Sequence, residues 1–123
     1  MDSNFKKSKK IRINTKNLKK GLISSVDFKS LKFKPKRIYY IYNSKLTIRG
    51  GHANRRNINF YICLNGSCEV KLSLGGKIKK IKLFKKNEGL VVYPKVRREI
   101  RKLQKDTILL SICSMLYSKN DII

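Results

Sequence analysis

A chain of 123 residues that is 41% hydrophobic has the size of one domain and enough apolar material for one core without metals or disulfides. No stretch approaches the roughly 18 consecutive apolar residues that span a bilayer, and no apolar run follows the lysine-rich residues 1–10, so neither a secretory leader nor a membrane span is expected. The three cysteines, Cys63, Cys68 and Cys113, lack the CxxC spacing of a zinc site; their odd number speaks against a secreted disulfide framework and for a reducing cytoplasm.

A formal charge of +24 invites a nucleic-acid reading, because clustered Lys and Arg neutralise phosphates. Here 23 Lys stand against 8 Arg, spread along a chain rich in Ile and Asn with Ala53 as its single alanine, as compositional drift at tolerant surface positions would leave them. Under either reading the field attracts anionic ligands and holds nucleic acid non-specifically at low salt.

In chain order, residues 1–35 read as a basic arm with one or two short strands, and residues 36–123 as an all-β barrel or sandwich. Short β-branched and aromatic runs separated by turn residues predict strands at 37–42, 58–64, 67–74, 77–84, 90–93, 98–103 and 107–113. Helix has little support. Asn65-Gly66 and Gly75-Gly76 suit tight hairpins with positive φ at both central residues, so their flanking strands are expected to be antiparallel neighbours. The first hairpin sets Cys63 opposite Cys68, read as a pair of small buried side chains in preference to a disulfide. The run 60–64 is apolar on both faces and so is expected to be covered on both, by the barrel interior and by a second sheet or subunit. In 67–74, Cys68, Val70, Leu72 and Leu74 alternate with Glu69, Lys71 and Ser73, one face for the core and one for water.

The one histidine, His52, lies in Arg49-Gly50-Gly51-His52-Ala53-Asn54. Two glycines let the backbone bend sharply or pass close to a ligand, and Arg49 supplies a fixed positive charge. With one His and no CxxC, a metal site of three imidazoles is excluded by counting. The tyrosines Tyr39, Tyr40, Tyr42, Tyr61, Tyr93 and Tyr117 fit either core packing or stacking on a base or sugar.

The segments Arg37-Ile38-Tyr39-Tyr40-Ile41-Tyr42, Arg49-Gly50-Gly51-His52-Ala53, Ile62-Cys63-Leu64-Asn65-Gly66-Ser67-Cys68-Glu69-Val70, Asn87-Glu88-Gly89-Leu90 and Arg98-Glu99-Ile100, in this order, resemble the WxcM-like cupin family of dTDP-sugar 3,4-ketoisomerases. The resemblance runs from about Pro35 to the C-terminus. It implies a cupin-type jelly-roll barrel of antiparallel strands, commonly a homodimer. Such a protein uses no cofactor or metal and moves the keto group of dTDP-4-keto-6-deoxyglucose from carbon 4 to carbon 3. Carried over residue by residue, it makes His52 the general base and Tyr39 a proton donor or shuttle. Arg49 then serves the enediolate oxygen or the diphosphate, and Arg98 stands where the family has His or Arg. Asn54 stands where the family has its second His, and Arg97 where an aromatic is common; Asn54 can hydrogen-bond a sugar hydroxyl but cannot shuttle a proton. The alternatives are a non-catalytic sugar-nucleotide-binding cupin that has lost an imidazole and a nucleic-acid binder working through its basic surface.

Overall fold

The computed structural model describes residues 2–123, and their side-chain alternation sorts them into two antiparallel sheets around one core. The first sheet has five strands in the order β1 (Lys10–Arg12), β9 (Glu88–Val92), β6 (Asn59–Asn65), β11 (Ile108–Cys113), β4 (Arg37–Ile41). The second has four, in the order β5 (Arg49–His52), β10 (Arg97–Arg101), β7 (Cys68–Leu74), β8 (Lys77–Leu83). A separate hairpin, β2 (Asn14–Leu18) with β3 (Gly21–Ser25), and a six-residue helix, α1 (Asp2–Lys7), precede them. The expected all-β, antiparallel architecture is therefore present. Among the described residues no helix is long and apolar enough to cross a membrane.

The core between the sheets takes Tyr61, Cys63, Leu90, Val92 and Leu109 from one side and Cys68, Val70, Leu72, Leu83 and Ile100 from the other. Full burial of each large aliphatic contributes about 1.5–3 kcal/mol. The double-sided burial expected of 60–64 holds for Phe60–Cys63: Tyr61 and Cys63 face this core, while Phe60 and Ile62 face a second cluster with Ile13, Val91 and Ile112. Ile11, Val26, Leu31 and Phe33 pack on that cluster, so the chain's own arm covers the outer face. Gly89 is needed there, because a Cβ at this position would lie 2.2 Å from the buried Phe60 ring.

Three sequence expectations are corrected. β6 and β7 are not ladder partners: β6 pairs with β9 and β11, and β7 with β10 and β8. The Asn65-Gly66 turn carries the chain from one sheet to the other, and only Gly66 has positive φ, so it is not a type I′ hairpin. Cys63 and Cys68 still meet, thiol to thiol across the interior, and both are free. Gly75-Gly76, with φ of 56° and 83°, does close the β7–β8 hairpin. The arm holds α1 and three short strands instead of one or two, and β1 joins the main sheet by pairing with β9. Finally, residues 49–52 form a strand that the Gly-Gly pair hides from any propensity argument.

Candidate active site

β5 is short and poor in strand-forming residues, yet it aims the only imidazole. It pairs with β10 so that His52 faces Arg98 and Gly50 faces Glu99, with a register shift between them. Gly51 is the extra residue of a bulge, and φ values of 87° at Gly50 and 85° at Gly51 lie where glycine is favoured. A side chain at Gly50 would also crowd the Arg98 carbonyl at 3.3 Å. The kink turns His52 toward a cavity of about 450 Å³, within the roughly 300–1,000 Å³ range of small-molecule sites. Burial and the positive charges of Arg98 and Arg97 hold the imidazole below its ordinary 6.5, so it is a neutral base at neutral pH.

The cavity floor is a polar network set among apolar strands. Arg98 is 1% exposed. One terminal nitrogen donates to Asn59 Oδ1 and the other to the Val96 carbonyl at 3.2 Å, while its Nε has no protein partner among the described residues. Asn59 Nδ2 donates to Ser111 Oγ at 2.8 Å, and Ser111 in turn bonds Tyr39. Burial, and after it the neighbouring Tyr61, pushes the Tyr39 phenol above the ordinary tyrosine range, so it stays protonated and can donate.

Arginines and the C-terminal segment build the rim. On β4, Arg37, Tyr39 and Ile41 share the half-buried face, and the Arg37 guanidinium lies 4.8 Å from the Tyr39 ring and 5.3 Å from the Tyr117 ring. Arg49 is exposed at the edge. The lining thus carries the guanidinium groups of Arg37, Arg49 and Arg98 against one carboxylate, Asp121, which is itself hydrogen-bonded to Asn54 and two backbone amides. Such a mouth favours an anionic ligand. Among the described residues no group of three or more His, Cys, Asp or Glu side chains lies together.

All five residues singled out from the sequence, His52, Tyr39, Arg49, Asn54 and Arg98, line this one cavity. Asn54 differs in its partner: its Nδ2 donates to Asp121 Oδ2 at 3.1 Å. Tyr117, one of the tyrosines read as fit for core packing or stacking, lines the cavity too; sequence reasoning missed Arg37, Asn59, Ser111 and Asp121. Arg37 was within reach, since it alternates with Tyr39 on one strand; the others come from elements distant in sequence and carry no local signal.

Fold and cavity together define a class, the small cupin-type barrel with a cationic open end. Within that class the chain belongs to the family described as FdtA: WxcM-like, C-terminal, whose model matches residues 6–123. It is 35% identical over 104 residues to TDP-4-oxo-6-deoxy-alpha-D-glucose-3,4-oxoisomerase of Aneurinibacillus thermoaerophilus, covering 84% of this chain and 75% of that one. A 3,4-ketoisomerase from Helicobacter canadensis superposes with a TM-score of 0.88 at 34% identity, over 94% of this chain and 88% of that one. A His-to-Asn variant of the 3,4-ketoisomerase QdtA from Thermoanaerobacterium thermosaccharolyticum, in complex with TDP-4-keto-6-deoxyglucose, superposes with a TM-score of 0.87 at 30% identity, over 93% and 84% of the two chains.

Proposed function

We propose that this chain is a TDP-4-keto-6-deoxyglucose 3,4-ketoisomerase that works in the cytoplasm as a homodimer. The observation that carries the reading is the pairing of His52 with Arg98 across two strands at the cavity floor: a neutral base stands beside a buried cation that no carboxylate neutralises among the described residues. The related enzymes named above act on the same sugar nucleotide or carry out the same 3,4-shift.

In this reading His52 takes the proton from sugar carbon 3. The C3–H pair becomes the C3=C4 double bond, and negative charge collects on the carbon 4 oxygen as an enediolate. Arg98, fixed and desolvated, stabilises that oxygen, and the protonated Tyr39 donates to it. The 3-hydroxyl proton passes to the carbon 4 oxygen with the Tyr39 phenol as relay, the C3=C4 pair takes the proton of the imidazolium as the new C4–H bond, and the ketone is left at carbon 3. One base serves both steps. Arg49 and Arg37 at the rim face the diphosphate.

Exposed apolar residues on two elements support pairing with a second copy. Leu22 and Ile23 on the free hairpin are 69% and 53% exposed, and Ile38 and Tyr40 on the edge strand β4 are 55% and 60% exposed. Light scattering measures this directly, and a monomer at working concentration would remove the dimer from the reading. The activity is tested by incubating the protein with TDP-4-keto-6-deoxyglucose in deuterated water and following the sugar by NMR. A carbonyl at carbon 3 is expected, with deuterium at carbon 4 only to the extent that the imidazolium exchanges with solvent before it returns its proton; an unchanged spectrum at high enzyme concentration sinks the proposal.

A further inference from the structure

The residues that follow His52 are laced to the end of the chain. Asn57 Oδ1 accepts from the Met115 amide at 3.2 Å and from Ser114 Oγ at 3.4 Å, and Ser114 Oγ accepts from the Ile58 amide at 2.8 Å. Six residues later Asp121 closes the other end. Its Oδ2 accepts from Asn54 Nδ2 and the Asn57 amide, both at 3.1 Å, and its Oδ1 accepts from the Arg56 amide at 2.9 Å. Backbone bonds between Ala53 and Ile123 and from the Arg55 amide to the Asp121 carbonyl extend the seam. Between the two ties, Met115, Leu116, Tyr117 and Ser118 line the cavity. Leu116 and Tyr117 are 69% and 65% exposed, so burial alone does not hold them in place.

We propose that Asp121 is a positioning residue for substrate binding: its carboxylate ties the 115–118 wall of the cavity to the 53–57 segment leaving His52. Asn54 is then a donor to that carboxylate, which is why an amide at position 54 suits this chain. The proposal rests on the ketoisomerase reading. Asp121 is 5% exposed and receives three donors, so an amide in its place would turn an N–H toward other N–H groups and loosen the tie.

The test compares wild type, D121N, N54A and the double variant by turnover of TDP-4-keto-6-deoxyglucose, calorimetry with TDP, and hydrogen exchange of residues 114–123. For D121N, KM and the TDP Kd are expected to rise about tenfold with kcat within about threefold, while amides of 115–118 exchange faster. N54A should move the same quantities less, and the double variant no further than D121N. A merely structural role would shrink the active fraction, lowering apparent kcat at unchanged KM and TDP Kd, and that result overturns the proposal. If D121N does not fold, N54A decides, because it keeps both backbone donors: folded N54A with unchanged KM and Kd overturns it as well. Wild-type protein that neither binds TDP nor turns over would bring down the ketoisomerase reading and this proposal together. A loosened segment with unchanged KM and Kd removes the positioning role alone.

Discussion

Two buried charges share the walls of one cavity, and they are treated in opposite ways. Asp121 has both carboxylate oxygens occupied by donors from the chain itself. Arg98, more deeply buried, has hydrogen bonds only to an amide oxygen and a carbonyl, with Nε unpartnered among the described residues. A buried cation without a counter-charge opposes folding, which makes it a candidate for a role beyond the fold. On the proposed reading the saturated carboxylate serves the architecture and the under-satisfied guanidinium serves the chemistry.

The contrast is broken first at His52, the group that Arg98 faces. H52N should lower kcat by about 10²–10⁴ and leave TDP binding and melting temperature near wild type; retained turnover would separate the buried cation from any reaction. Next comes the cation itself. R98M should lower kcat by about 10²–10³ with the melting temperature held or raised, because Asn59 Oδ1 keeps the Asn57 Nδ2 donor at 3.0 Å and an unpaired buried charge is gone. D121N should do the reverse to stability, costing about 1–3 kcal/mol as its donors lose a charged acceptor. Equal melting temperatures for R98M and D121N would erase the distinction. The smallest effect is on pH. Burial, Arg98 and Arg97 all disfavour the imidazolium, so kcat/KM should fall, on acidification, through a midpoint below 6.5. R97Q removes one of those charges and should move that midpoint upward, toward 6.5; a pH–rate profile measures both, and a downward shift would contradict the electrostatic account.

Much of the second sheet was legible in the sequence, because β7 alternates between buried and half-buried residues and Gly75-Gly76 closes its hairpin with β8. The jump from β6 to β7 was not, since a turn signal between two apolar runs does not say whether the chain stays in its sheet or crosses to the facing one. β5 escaped because Gly50 and Gly51, which the bulge requires, are the residues that lower strand propensity. Of the site, the motif residues Tyr39, Arg49, His52, Asn54 and Arg98 could be listed from resemblance, yet their relation could not. That Asn54 turns to Asp121, 67 positions away, follows from where the C-terminal segment folds back, and no local pattern encodes it.

The Gly50-Gly51 bulge has a consequence for how this protein can change. The register sets His52 opposite Arg98 and Gly50 opposite Glu99, so the one unpaired residue, Gly51, is absorbed locally and the flanking residues keep their faces. Substitution is the harder change here, because φ values of 87° at Gly50 and 85° at Gly51 strain any residue with a side chain, whereas dropping Gly51 would straighten the ladder with His52 still opposite Arg98. Loss of that one codon would keep the imidazole on the same face of the sheet and change its tilt, so residue type at the two glycines matters more to the strand than residue count.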